Sequence, residues 1–160
     1  MLFKQIRIGR NGAPFTIYKL RSIPIGASSP TVWGKFLRST KIDELPQIVN
    51  ILKGDMVLIG PRPDVPGYAD ELQGDDRVVL TVKPGITGLA SLKYRNEDEI
   101  LANQHDPKRY NDEVIWPDKV RINKWYIANR TLVMDFKIII YTILPIPFNV
   151  DVYIKVKSEK

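Results

Sequence analysis

The sequence predicts a mixed, irregular α/β domain in which short strands are packed by helices and a helical hairpin closes the C-terminal end. Three observations carry that expectation. Residues 3–20 hold two alternating segments around an Asn11-Gly12 turn. Residues 56–60 and 78–92 are short apolar or small-residue runs bounded by glycine and proline. Residues 117–144 carry apolar side chains at helical spacing, interrupted at Asn129-Arg130-Thr131. At 160 residues the chain suits one domain with a real core, and its 44% apolar and 26% charged content is that of an ordinary globular protein.

Taken in order, Phe3–Ile8 and Phe15–Leu20 read as strands, because Asn-Gly between alternating runs is a strong hairpin signal. Pro24 to Pro30 is a loop by composition. Thr40 then suits an N-cap with Asp43 three residues on, and Pro46 suits the first turn of a helix. Ile48, Ile51 and Leu52 would form its apolar face, and Gly54 its stop. Met56–Ile59 reads as a strand ending in Gly60-Pro61-Arg62-Pro63. Pro66–Arg77 is polar and partly helical, Val78–Val82 a strand, and Pro84-Gly85 a type II turn. Ile86–Leu92 continues strand-like with small residues, where a backbone or a ligand can come close.

Glu97–Asp118 reads as polar and irregular; it holds the single histidine, His105, a surface residue to which no role is given. Pro117 opens a helix with Ile122, Trp125 and Tyr126 on one face, ended by Asn129. Thr131 caps a further helix running to Leu144, stopped by Pro145. The seam of this pair suits core packing and a membrane interface alike.

Charge is divided unevenly. The net charge is +6, yet residues 1–42 hold eight bases and no acid, while the remainder holds 16 bases and 18 acids. A cationic front half suits phosphates: nucleic acid, an anionic membrane surface, or a phosphorylated small substrate. The basic segment lacks a stacking-aromatic array or reader motif, which argues against nucleic acid. With no cysteine there is neither disulfide nor thiolate chemistry. No signal peptide is expected, since Lys4 and Arg7 follow Met1 at once, and the longest apolar stretch, Ile138–Val150, is proline-broken and too short to span a bilayer. Glycine-rich phosphate loops, metal-spaced Cys/His clusters and a serine elbow are absent from the sequence.

Asp43-Glu44, the first anions after this cationic segment, are the candidate chemical centre. Neighbouring residues point to different sides, so the pair suits two jobs, one carboxylate attacking and one holding a metal, better than proton sharing. The plainer alternative is a helix start with acids favourable to its dipole. Arg62, held between Pro61 and Pro63, offers a pre-ordered guanidinium suited to bidentate phosphate recognition.

Six segments then carry a resemblance: Tyr18-Lys19-Leu20-Arg21-Ser22, Gly34-Lys35-Phe36-Leu37-Arg38, Ile42-Asp43-Glu44-Leu45-Pro46-Gln47, Leu52-Lys53-Gly54-Asp55-Met56, Gly60-Pro61-Arg62-Pro63 and Val82-Lys83-Pro84-Gly85-Ile86-Thr87-Gly88. In this order they closely resemble the bacterial sugar transferase family, the monotopic phosphoglycosyl transferases, over nearly the whole chain through Asp135-Phe136-Lys137-Ile138. The resemblance implies transfer of a sugar 1-phosphate from a UDP-sugar to polyprenyl phosphate, with Mg²⁺, releasing UMP and initiating exopolysaccharide, capsule or glycan assembly. It implies that Asp43 is a nucleophile forming a covalent intermediate and Glu44 the Mg²⁺ ligand. It places Arg38, Arg62 with Pro61 and Pro63, Lys19 and Arg95 at phosphate- and nucleotide-binding positions. It further implies a peripheral or monotopic location on the cytoplasmic face of the bacterial inner membrane, and downstream glycosyltransferases as partners. Two departures stand out. Family members carry a re-entrant membrane helix ahead of the Phe3-Lys4-Gln5 region, where this chain begins, so a form without that anchor is expected. Asn123 stands where several members have aspartate. The alternative function is a catalytically weak, nucleotide-sugar-binding or scaffold relative.

Overall fold

The computed structural model describes residues 2–27, 29–144 and 146–158. The chain opens with the expected antiparallel hairpin, β1 (Leu2–Ile8) and β2 (Pro14–Leu20), in register from Leu2 opposite Leu20 to Ile8 opposite Pro14. Asn11 takes the left-handed conformation (φ 59°) that asparagine tolerates, which lets the chain reverse. Helix α1 (Val32–Ser39) follows, with Thr31 Oγ1 accepting from Gly34 N at 3.0 Å as its N-cap. Gly34 lies hard against the chain after β2: a Cβ there would come within 2.0 Å of the Ser22 carbonyl oxygen. That contact seats α1 beside the hairpin.

The helix expected at Pro46 has a different form. A 3₁₀ turn (Ile42–Gln47) contains Asp43, Glu44 and Pro46, and only then does the short α2 (Ile48–Leu52) begin. Thr40 is not its N-cap; its hydroxyl donates back to Phe36 O at 2.7 Å and closes α1 instead. The anticipated apolar face of α2 points outward, Ile48 and Leu52 being exposed. The helix is anchored by a polar residue, the fully buried Asn50, which donates to Thr16 O at 2.7 Å and accepts from Tyr18 N at 3.2 Å. One amide thus satisfies the free edge of β2.

The second sheet is a parallel pair, β3 (Val57–Ile59) and β4 (Gly85–Thr87). Glycine makes this pairing possible. A Cβ on Gly85 would lie 2.2 Å from Gly60 N, and one on Gly88 2.2 Å from Gly60 O, so the backbones touch where side chains would separate them. The small residues expected to admit a backbone or a ligand admit a backbone. Only three residues of the 78–92 region are strand. Gly74–Thr81 is a 3₁₀ helix, because Val79 and Leu80, adjacent in sequence, both turn inward, which a strand would not allow. Leu89–Lys93 is helix α3.

Residues expected to be irregular are helical: α4 (Glu97–Ala102), α5 (Pro107–Tyr110) and a π turn (Asn111–Ile115). Asp106 caps α5, accepting from Arg109 N at 3.0 Å, and Pro107 occupies its first turn. Helix α6 (Trp116–Asn129) carries Pro117 in its first turn, as expected, and continues directly from the widened turn. Thr131 does cap α7 (Leu132–Ile143), accepting from Met134 N at 3.1 Å. The stop expected at Pro145 lies outside the described residues. A further helix, α8 (Val150–Ser158), completes the chain.

The larger core gathers Ile59 of β3, Leu89 and Ala90 of α3, Ile122 and Tyr126 of α6, Met134 and Ile138 of α7, and Val150 and Ile154 of α8. A second cluster joins Ile8, Ala69, Leu72, Val79, Leu80 and Val120. Val120 and Ile122 lie on opposite sides of α6, so this one helix serves both clusters. The inner seam of α6 and α7 is therefore core, pinned where they meet by Tyr126 Oη donating to Asp135 Oδ1 at 2.6 Å. Among the described residues no helix is long and apolar enough to cross a membrane.

Candidate active site

A cleft of about 500 Å³ lies between the hairpin, the Asp43-Glu44 turn, the Arg62 loop and helices α3, α4 and α6. The structure brings Lys19, Arg38, Asp43, Glu44, Arg62, Pro63 and Arg95 together on its wall; Pro61 is buried behind it. They arrive from several separate elements. Lys19 projects from β2, and Arg38 sits one turn after the seated Gly34 on α1. Lys41, in the left-handed conformation (φ 58°), turns the chain out of α1 and delivers the two carboxylates inward.

The two carboxylates are equally buried but differently partnered. Glu44 is gripped by Arg62, whose Nη1 donates to Oε2 at 3.1 Å and whose Nη2 donates to Oε1, with Lys19 Nζ 4.0 Å from Oε1. Burial alone would raise the Glu44 carboxyl, but Arg62 and then Lys19 hold it below its usual range. Asp43 has no such partner: its Oδ1 is buried without a hydrogen bond among the described residues. Burial, and then the adjacent Glu44, push its carboxyl upward, against Lys19, Lys41 and Arg38. An unpaired, desolvated carboxylate oxygen is one that a ligand can engage.

Arg62 is itself held by the parallel ladder. Gly85 N donates to Pro61 O at 2.8 Å, Gly60 N to Thr87 O at 2.9 Å, and Arg62 Nη1 to Ile86 O at 3.0 Å. The guanidinium is placed by backbone on both sides. Lys19 is buried enough that its ammonium falls to about 8, with Arg62 as the next cause and Glu44 opposing. Arg38 pairs with Asp98 of α4 across the mouth of the cleft. Arg95 is less free than its position in the sequence implied: it donates to Tyr141 O and, at 3.2 Å, to Thr142 O, bracing the end of α7.

Several cleft residues were not singled out from the sequence as site residues. Arg7 read as a solvated hairpin face, yet it donates to Pro63 O at 3.3 Å and lines the cleft. Asp64, Glu97 and Lys119 also line it, and Asn123 stands one helical turn beyond Lys119. For Asp64, the residue directly after the proline-framed arginine was the available signal.

Asp64 carries a pH prediction. Burial pushes its carboxyl up to about 6, against Lys119 and Arg7. Its folded value thus lies above the ordinary 3.8, so the folded chain binds more protons than the unfolded one between these values. Stability attributable to Asp64 falls as pH rises through that window and is level above it. Asp64→Asn is expected to raise the melting temperature more at pH 7.5 than at pH 4.5, by differential scanning calorimetry. An equal change at both pH values would remove Asp64 as the source.

The cleft is rich in cations and holds the unpaired Asp43 Oδ1 on a mixed α/β scaffold, a lining that suits an anionic ligand. The family model described as Bacterial sugar transferase matches residues 1–148, and the chain belongs to that family. It is similar to an uncharacterised sugar transferase of Bacillus subtilis, at 34% identity over 89% of this chain and 68% of the relative. It also resembles the undecaprenyl-phosphate galactose phosphotransferase of Salmonella typhimurium, at 32% identity over 85% of this chain and 31% of the relative. A third similarity is to the UDP-glucose:undecaprenyl-phosphate glucose-1-phosphate transferase of Klebsiella pneumoniae, at 31% identity over 89% of this chain. The chain spans about a third of the length of these last two relatives (31% and 32%).

Proposed function

We propose that this chain is a sugar-transferase catalytic domain that moves a sugar 1-phosphate from a UDP-sugar to polyprenyl phosphate through a covalent intermediate on Asp43. A carboxylate oxygen of Asp43 attacks the sugar-bearing phosphorus, and the bond to UMP breaks, UMP leaving with the electron pair. An oxygen of polyprenyl phosphate then attacks the same phosphorus and expels Asp43, giving polyprenyl diphosphate sugar for downstream glycosyltransferases. The observation that carries this reading is the buried, unpartnered Asp43 Oδ1 in a cleft also lined by Lys19, Arg38 and Arg62. An anion attacking an anionic diphosphate meets repulsion that only fixed cations can offset, and the cleft supplies them in place. Arg38 and Lys19 are the phosphate ligands of this reading, and Arg62 both binds phosphate and orients Glu44. Arg95 acts from the α7 side as a positioning group.

The donor set fits Mg²⁺. Arg62 uses one lone pair on each Glu44 oxygen, which leaves others free, and Mg²⁺ commonly takes one or two carboxylates with substrate phosphates completing its shell. Glu44 would hold the ion, which when bound shields the diphosphate charge.

The acceptor is a lipid, and an apolar surface lies near the cleft. Trp33 and Phe36 of α1 stack at 5.2 Å and point outward, Val32 is 88% exposed, and Leu45, Ile48, Val49 and Leu52 continue the exposed series. Arg38 and Lys41, from the same stretch, line the cleft itself. This surface, rather than the buried seam of α6 and α7, is the one we assign to the cytoplasmic membrane face. One assay tests the reading: UMP release from a panel of UDP-sugars, with Mg²⁺, on anionic vesicles with and without polyprenyl phosphate. Multiple-turnover UMP release is expected only with acceptor. A Trp33→Ser/Phe36→Ser double variant should co-sediment about tenfold less with the vesicles. No UMP release from any sugar nucleotide would end the transferase reading, and unchanged sedimentation would end the assignment of this surface.

A further inference from the structure

The charged groups of the cleft fall into two sets that meet at Arg62. Asp43 is influenced by Glu44, Lys19, Lys41 and Arg38, whereas Asp64 is influenced by Lys119, Arg7, Glu97 and Arg62. The first set is the diphosphate site of the proposed function. The second is not used by it. Within the second set, Lys119 Nζ donates to Glu97 Oε1 at 2.7 Å, and Arg7 donates through its two terminal nitrogens to Pro63 O and, at 2.9 Å, to Gln5 Oε1. Beside this set, the carboxylate of Asp64 and the amide of Asn123 also line the cleft, and neither is given a hydrogen bond by the described residues. Asn123 is 6% exposed and Asp64 is half-buried. Polar groups that line a cleft and that the protein leaves unpaired are available to a ligand's hydrogen bonds.

A diphosphate-linked sugar nucleotide has two uncharged ends, and the linings distinguish them. Near the Asp64 set the aromatic side chain is Tyr94, whose hydroxyl is committed to Asp118 Oδ2 at 2.7 Å. Its ring has Lys93 and Lys119 at 5.7 and 5.8 Å, so ammonium groups already occupy the space a stacked base would need. The hairpin side of the cleft instead offers Phe3, Leu20 and Ile23, with the Arg21 guanidinium 5.2 Å from the Phe3 ring. Flat apolar and guanidinium surfaces suit a nucleobase. A carboxylate and an amide in one cleft suit ring hydroxyls, the carboxylate accepting from two neighbours and the amide both donating and accepting.

We infer that Asp64 and Asn123 form the sugar subsite of this chain, and that they select an uncharged hexose with adjacent free hydroxyls. The inference rests on the proposed function for the placement of the diphosphate. Asp64 is then a specificity residue: its carboxylate binds two hydroxyls at once and repels a sugar that carries its own carboxylate. Asn123, at a position where aspartate would add a second negative charge, supplies the donor that Asp64 lacks.

The test is a binding measurement, because it needs no turnover. Titration calorimetry would use Asp43→Asn protein with Mg²⁺ and three ligands: UDP, UDP-glucose and UDP-glucuronate. Adding Asp64→Ala is expected to weaken UDP-glucose at least tenfold while leaving UDP within twofold, and Asn123→Ala should act in the same direction. Adding Asp64→Asn should weaken UDP-glucose less and strengthen UDP-glucuronate, since the shape is kept and the repulsion removed. UDP affinity reports that each variant is folded. Equal weakening of UDP and UDP-glucose would assign Asp64 to the nucleotide or to the fold and overturn the inference; so would no change with any ligand. Failure of the transferase reading shows separately, as absence of UMP release by the unmodified chain in the vesicle assay.

Discussion

Asp43→Asn is expected to abolish turnover and the covalent intermediate together, by on the order of 10⁴-fold or more, with UDP-sugar binding retained. The amide keeps the shape of the side chain but has no anionic oxygen to attack phosphorus. Because burial and Glu44 disfavour the charged form of Asp43, the neutral amide is also expected to melt no lower than the unmodified chain. The same substitution judged as loss of a helix-start acid would cost about 1 kcal/mol or less and spare activity. Turnover, intermediate trapped on the denatured protein, and melting temperature measured side by side separate the two. An active, normally stable Asp43→Asn protein defeats the covalent mechanism, and a binding-competent chain that shows no turnover even before substitution supports the weak-relative alternative.

Arg62→Ala is the second large effect, and it acts on stability and rate at once. Its removal leaves the Glu44 carboxylate buried with Lys19, at 4.0 Å, as its one remaining salt-bridge partner among the described residues. Breaking a fully buried ion pair costs about 3–5 kcal/mol. Arg62 is partly reached by water, so about 2–3 kcal/mol is the expected loss in chemical denaturation, scaled down from that range. Turnover should fall at least a hundredfold as a phosphate donor is lost. The double variant Arg62→Ala/Glu44→Ala should regain most of the stability and none of the rate. Additive stability losses in the double variant would show that the two side chains are not coupled as the hydrogen bonds indicate.

Much of the site could be read from the chain because its signals are local. An arginine between two prolines is stiff in any fold, and adjacent carboxylates after 42 acid-free residues stand out in any alignment of charge. The hairpin was legible for the same reason, Asn11-Gly12 being a turn in its own right. What the sequence concealed depends on distant partners. Asn50 anchors α2 by pairing with β2 from 34 residues away, so its helix face looked inverted. Val78–Val82 has strand-like composition but is wound into a 3₁₀ turn by the inward demand of Val79 and Leu80. Residues 97–115 lack an apolar period because α4 and α5 bury no residue, leaving caps and ion pairs to define them. Arg7 and Asp64 joined the cleft only when the hairpin met the arginine loop, where Ile8 N donates to Asp64 O at 2.9 Å.

The three interlocked glycines have a consequence for how such a protein can change. Gly60, Gly85 and Gly88 bring main chain onto main chain, so the height of Arg62 above the cleft floor is keyed by atoms common to every amino acid. Side chains elsewhere in the core can drift in size without moving the guanidinium. The phosphate end of the cleft is thereby insulated from mutation, and the walls around it, Asp64 and Asn123 among them, are free to diversify. On the proposed function, a lineage could adopt a new sugar by altering those walls while its phosphoryl chemistry stays in register.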